Sequence, residues 1–329
     1  MPTYEYQGEA CGAGFRHVYG PVPSRRLGRS LGVDLIPFKT CSYDCIYCQL
    51  GRTTNKTVER KAYIPIADVL AELEETLAGG LAPDYISLAG SGEPTLHSGI
   101  GDLIRGIKSR TKIPVAVLTN GSLLWRDEVR EALMAADLVI PSLDAGDAAL
   151  FQYVNRPHPE ISFERMVEGT ASFTASFPGE VRLEVFLLDG ATGVPSEVEK
   201  IAALARRIRP ARIELNTVCR PPGEDYAFPL DADRMLALKA LFEGPVDIIG
   251  GIRPDEFPAS EFSGARDEDI LALLRRRPCT CEDVSAGLGI HITEAIKHLD
   301  ALGKSGKVKR TLVDARGFYA ATEGEESSK

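Results

Sequence analysis

An α/β fold with parallel strands, followed by a small helical appendage, is predicted by three observations. Short apolar, β-rich runs alternate with longer amphipathic ones from Leu31 to about Ile249, which is the mark of repeated β-α units. Six such repeats can be traced, too few for a closed eight-fold barrel. A stretch rich in Pro, Gly and Ser then separates them from a segment of different pattern, three short helices and a hairpin.

In chain order, strands are expected at residues 32–38, 85–89, 115–119, 138–142, 181–187 and 212–218, with a further one at 246–249. Helical spacing of apolar residues occupies 66–78, 100–109, 127–135, 163–177, 195–209 and 231–242. Residues 1–250 thus form the larger unit and 251–265 a linker. Within the second unit, 266–322, helices are expected at 267–276, 281–288 and 292–302 and a hairpin from 308–313 and 317–321, leaving 323–329 as a polar, disordered tail. Thr280 stands before Cys281-Glu282-Asp283 as an N-cap with acidic residues in the first turn. The order of elements resembles a winged helix-turn-helix. No repeat of fixed period appears beyond the β-α alternation, which removes solenoids and propellers.

Composition narrows the function classes. With 44% hydrophobic and 26% charged residues among 329, the chain can bury the core of an ordinary globular enzyme. A net charge of −9 argues against coating nucleic acid by bulk charge, although a local basic patch is compatible with it. No apolar run approaches the roughly 20 residues that span a bilayer, and residues 1–16 lack the apolar stretch of a secretory signal. A cytoplasmic monomer that does not engage membranes is therefore expected. The cysteines number seven, and three crowd into residues 41–48, which suits metal ligation better than a disulfide framework.

That crowded segment runs Lys39-Thr40-Cys41-Ser42-Tyr43-Asp44-Cys45-Ile46-Tyr47-Cys48-Gln49 directly after the first expected strand. Thiolates spaced by three and then two residues can converge from one loop on an iron-sulfur cube, but three ligands leave one of its four irons without a protein donor. Such an iron can bind a small molecule. The alternative is a zinc site, which would recruit Cys11 or His17 as its fourth ligand.

The three cysteines, with the aromatic Tyr47 before the last, resemble the signature loop of the radical S-adenosylmethionine (radical SAM) superfamily. That family's second hallmark, a glycine-rich motif ending in glutamate after the second strand, is matched by Ala89-Gly90-Ser91-Gly92-Glu93-Pro94. The resemblance implies a partial (β/α)6 barrel, a 4Fe-4S cluster on Cys41, Cys45 and Cys48, and S-adenosylmethionine chelated by the open iron. It further implies reductive cleavage to a 5′-deoxyadenosyl radical that takes hydrogen from a substrate, and an electron donor such as flavodoxin or ferredoxin.

Other residues are assigned around that cofactor. Gly90 and Gly92 permit a tight turn, so that Glu93 or nearby carbonyls can receive the methionine ammonium. Asn120, after the third strand, and Ser142 and Asp144, at the end of the fourth, stand at the strands' C-terminal ends, where parallel barrels keep their chemistry, and suit a ribose or carboxylate; helix capping is the competing role. Tyr47 is expected near the adenine, and Asn216 is a further candidate. Cys219 ends the sixth strand and either faces the reaction chamber, as a hydrogen donor or substrate thiol site, or is buried and inert. Cys279 and Cys281 read as small core residues.

The lead-in Tyr19-Gly20-Pro21-Val22-Pro23-Ser24-Arg25-Arg26-Leu27-Gly28 resembles that of the wyosine-synthase-like subgroup, a likeness running over roughly residues 19–250. Arg25 and Arg26 either hold a phosphate or carboxylate or form salt bridges. Wyosine synthases carry further N-terminal cysteines for a second cluster, whereas only Cys11 stands upstream here, which puts pyruvate-dependent chemistry in doubt. In the small unit Lys297, Lys304, Lys307, Lys309 and Arg310 form a basic group suited to RNA, or a solvated face of a docking module. Three readings result: radical modification of tRNA or a nucleotide-like molecule, radical modification of a peptide or metabolite, and a zinc-stabilised winged-helix regulator.

Overall fold

The computed structural model describes residues 17–80, 82–249, 267–313 and 316–322. Cys11, the linker 251–265 and the tail 323–329 lie outside the described residues.

The chain enters through an antiparallel pair, β1 (Val18–Ser24) and β2 (Gly28–Val33), and the cluster loop carries two short paired strands, β3 (Thr40–Cys41) and β4 (Asn55–Lys56). Then follow α1 (Ile66–Ala78), β5 (Tyr85–Leu88), a 3₁₀ turn (Pro94–Leu96), α2 (Ile100–Arg110), β6 (Val115–Thr119), α3 (Asp127–Leu133) and β7 (Leu138–Pro141). The second half adds α4 (Ala148–Val154), α5 (Phe163–Ser176), β8 (Glu180–Phe186), α6 (Pro195–Ile208), β9 (Arg212–Asn216), α7 (Ala232–Lys239) and β10 (Val246–Ile248). One sheet of eight strands results, in the order β1-β2-β5-β6-β7-β8-β9-β10, parallel throughout except for β1 at its edge.

The pleat explains why β6 and β7 read as continuous apolar runs. Val115, Val117 and Val139 join the helix-covered core with Val69, Leu103 and Ile104. Their neighbours Ala116, Leu138 and Ile140 form a separate cluster with Leu27 on the other face, because successive side chains point to opposite sides of a strand. That same alternation carries Ser30, Ser87, Leu118, Ser142, Glu184, Phe186 and Asn216 to one polar cavity on the concave face.

Three departures from the sequence expectations have physical reasons. The first parallel strand stops at Val33, well short of residue 38, because its ladder with β5 covers only Ser30–Val33 and the Asp34 carboxylate then accepts from Ile36 and Ser91. The lead-in, to which no strand was assigned, forms β1 because Val18–Ser24 pairs with β2. Helix α4 went unread because its seven residues show less than two turns of periodicity, while Asp147 caps it by accepting from Leu150 N–H at 2.9 Å.

Beyond the undescribed linker come α8 (Asp267–Arg276), α9 (Cys281–Leu288), α10 (Ile292–Lys304) and the hairpin β11 (Val308–Val313) with β12 (Arg316–Ala321). They surround their own apolar cluster, including Ile270, Leu273, Val284 and Leu299, and Val22 of β1 belongs to it. Helices α8 and α9 thereby cover the antiparallel edge of the large sheet, where an open strand would otherwise expose unpaired backbone groups. Among the described residues no helix is long and apolar enough to cross a membrane.

Candidate radical SAM site

The cluster loop is fixed by backbone bonds to elements far away in sequence. Asp44 N–H donates to Asn155 O and Ile46 N–H to Val154 O, each at 3.0 Å, and Thr57 N–H to Cys41 O at 3.0 Å. Tyr43 and Ile46 are buried, and the Tyr43 ring meets Phe151 edge-on at 5.3 Å. Apolar residues between the cysteines thus point into the core, while Cys41, Cys45 and Cys48, all free thiols, line the cavity.

Burial pushes all three thiols up, Cys41 to about 12, because a lone thiolate is poorly solvated there. Compensation is placed around the sulfurs. Asn120 Nδ2 lies 3.6 Å from Cys41 Sγ and Asn155 Nδ2 3.5 Å from Cys45 Sγ, and the Lys39 ammonium favours a charged Cys48.

The glycine turn is bolted to this loop. Lys39 N–H donates to Ser91 O at 2.8 Å and Glu93 N–H to Thr40 O at 3.2 Å. A Cβ on Gly92 would stand 1.8 Å from Thr40 O, and one on Gly90 2.3 Å from Asp34 Cγ, so the absence of side chains permits the approach. Gly92→Ala is accordingly expected to cost about 1–3 kcal/mol and to weaken S-adenosylmethionine binding. Denaturant titration and equilibrium dialysis check this, and a variant as stable and as competent as the parent would show that the contact does not matter.

The structure brings Tyr47, Gly90, Gly92, Ser142, Asn216, Cys219, Arg25 and Arg26 to the same cavity as the cysteines. Three candidates are turned to other work. Glu93 is 2% exposed and accepts from Thr95 N–H at 3.0 Å, Thr119 Oγ1 at 2.6 Å and Asn120 N–H at 2.7 Å, which occupies both oxygens in joining the glycine turn to β6. Asn120 donates to Ser42 Oγ at 2.8 Å and accepts from Ser122 N–H, so it braces the cluster loop. Asp144, pushed up to about 6 by burial against the opposing hydrogen bonds of Tyr47 and Asn155, accepts from the Tyr47 hydroxyl, from Asn155 Nδ2 at 2.7 Å and from Phe186 N–H at 3.1 Å. It holds Tyr47 flat on Phe186, ring centroids 4.0 Å apart, and does not line the cavity.

Arg26 is paired with Glu184 and Glu214, and Asn216 Nδ2 donates to Glu184 at 2.8 Å, so salt bridging across the concave face takes up this arginine. Arg25 donates to Ile249 O and to Cys219 Sγ, the latter at 3.2 Å. Sequence reasoning missed Asn155, Lys39, Glu184 and the pair Arg276 and Arg277, all but Asn155 of which line the cavity. Only the position of Lys39, two residues before the first cysteine, carried any local signal.

Residues 35–208 match the profile of the Radical SAM superfamily, more than half of the chain. The chain belongs to the radical SAM superfamily.

Relatives of this radical SAM chain agree in extent. It is 33% identical to "UPF0026 protein MJ1312" of Methanocaldococcus jannaschii over 92% of its own length and 94% of that protein's. It is 40% identical to a Brachyspira hyodysenteriae protein named "GTPase Obg" over 93% of its own length, but spans only 45% of that relative. A radical SAM methyltransferase structure from Sphaerobacter thermophilus shares the fold, with a TM-score of 0.54 over 74% of this chain and 68% of that one at 15% identity. A 4Fe-4S cluster and S-adenosylmethionine are the cofactors of such radical SAM proteins, and the donor set of Cys41, Cys45 and Cys48, with amide N–H groups on two sulfurs, fits the cluster.

Proposed function

We propose that the chain reductively cleaves S-adenosylmethionine at a 4Fe-4S cluster on Cys41, Cys45 and Cys48 and abstracts hydrogen from an RNA or nucleotide-like substrate. The observation that carries this reading is that the three free thiols and the Gly90-Ser91-Gly92 turn line one cavity of about 430 Å³. Cys41, Cys45 and Cys48 would hold the cluster, which would pass one electron from a donor such as flavodoxin or ferredoxin to S-adenosylmethionine and so supply a 5′-deoxyadenosyl radical and methionine.

The protein's own part is positioning and exclusion. Asn120 and Asn155 orient their N–H groups on Cys41 and Cys45. Lys39 offsets the negative charge of three thiolates. The Tyr47 and Phe186 stack offers an apolar wall, and the Glu184, Arg26 and Asn216 network keeps the concave face polar and rigid.

Support for a nucleotide-like substrate comes from charge. The cavity lining holds six cations, Arg25, Arg26, Lys39, Arg220, Arg276 and Arg277, against one carboxylate, Glu184, in a chain whose net charge is −9. Lys297, Lys304, Lys307, Lys309 and Arg310 are exposed on α10, β11 and the turn between them, compatible with RNA on the α8 to β12 unit, which we take as a winged helix-turn-helix. On this reading the lead-in around Arg25 and Arg26, which resembles that of the wyosine-synthase-like subgroup, supports a nucleotide substrate.

The anaerobically reconstituted chain, reduced with dithionite, is expected to release 5′-deoxyadenosine. Cells lacking it are expected to lose one modified nucleoside, and binding to RNA should weaken steeply with salt. An unchanged nucleoside inventory would move the substrate to a peptide or metabolite, and no 5′-deoxyadenosine at all would end the radical reading.

A further inference from the structure

Arg277 follows the last residue of α8, outside the barrel in sequence, yet its side chain lines the cavity together with that of Arg276. Arg276 is committed, being paired with Asp34 at 3.1 Å and stacked 4.4 Å over Tyr19. Arg277 is only partly so: its half-buried side chain lies against Cys279, but its Nε and Nη2 are buried and find no hydrogen-bond partner among the described residues. A guanidinium taken from water without acceptors is unfavourable, and native proteins seldom keep one unless something else supplies the acceptor.

Its neighbours give the missing partner a sign. Arg220, in the loop after β9, donates from Nε to Pro278 O at 3.1 Å, which draws it alongside the Arg277-Pro278 step. Arg220 and Arg25 both reach Cys219 Sγ, at 3.7 and 3.2 Å. The arc thus runs from Arg25 through Cys219 to Arg220, beside the Arg277-Pro278 step, and the carboxylate paired with it among the described residues is Asp283, 3.6 Å from Arg220. Three guanidiniums facing one carboxylate leave an excess positive field in a partly desolvated cavity.

We infer that Arg277, flanked by Arg220 and Arg25, anchors an anionic group of the substrate, a phosphate or a carboxylate, within the radical SAM cavity. The inference rests on the reading of that cavity as the reaction site and adds that the α8 to β12 unit completes it. Planar forked donors suit such oxyanions in bidentate fashion, which an ammonium cannot reproduce.

Thermal unfolding of the reconstituted full chain, titrated with inorganic pyrophosphate and separately with malonate, tests this. One of the two is expected to raise the melting temperature in a saturable manner, pyrophosphate marking a phosphate and malonate a carboxylate. Arg277→Gln is expected to need at least about tenfold more anion for the same rise, with Arg277→Lys in between. In the absence of anion Arg277→Gln should melt no lower than the parent, since the lost guanidinium had no acceptor to leave behind, and this separates anion binding from a structural role. A parent chain that responds to neither anion, or a Gln variant that responds as the parent does, overturns the inference. Formation of 5′-deoxyadenosine by the parent is followed in parallel: its absence alongside anion binding would count against the reaction and not against the subsite.

Discussion

Replacing Cys41, Cys45 or Cys48 singly by Ala is expected to lower bound iron from about four atoms per chain to near background and to abolish 5′-deoxyadenosine formation. With only three protein donors, loss of any one leaves two, and a cube held at two corners in a solvent-connected cavity has no means of staying assembled. Burial pushes the thiols up, Cys41 to about 12, so binding the cluster as thiolates displaces protons. Cys219, between two arginines, and Cys281, beside Tyr319 in the small unit, should keep full iron when changed to Ala. Iron and sulfide analysis with chromatography of the nucleoside product decides the matter. A Cys48→Ala protein that retained both iron and cleavage would remove the loop from the chemistry.

The cysteine loop and the glycine turn were legible because each is a compact local pattern that resembles a radical SAM motif. Most helices were legible for the same reason, their apolar faces repeating within the segment itself. Asn155 was not, because what makes it matter is a bond to Cys45, 110 residues away, and nothing around it in sequence points there. Glu93, Asn120 and Asp144 lie where expected, near the strands' C-terminal ends, and make bracing bonds that their sequence positions do not show. A carboxylate no more than 4% exposed must have its oxygens satisfied from within, and the donors at hand are the scaffold's own threonines, amides and Tyr47. Burial, which sequence does not display, gives these side chains a bracing part. Arg277 was hidden behind a linker, in a unit whose position against β1 is a tertiary fact.

Removal of either partner of the Asp34 and Arg276 pair is expected to destabilise the chain by about 3–5 kcal/mol, because the side chains are only 2% and 3% exposed and the survivor is left charged without water. The consequences should differ between the two ends. Arg276→Met releases α8 from Tyr19 and from the barrel. Asp34→Asn also loosens the glycine turn, since the same carboxylate accepts from Ser91 Oγ at 2.6 Å and Ser91 N–H at 3.1 Å, so S-adenosylmethionine affinity should fall further in this variant than in the first. Replacing both by Leu removes the charges together and should restore much of the lost stability, as exchange of a buried ion pair for apolar packing commonly does. Urea unfolding followed by far-ultraviolet circular dichroism measures the stabilities, and dialysis the affinity. Two single variants each within about 1 kcal/mol of the parent would mean that the pair is solvated in practice, and the small unit would then have to be held by the apolar contacts of Val22 and Tyr19 and by the Arg220 bonds to Pro278 and Asp283.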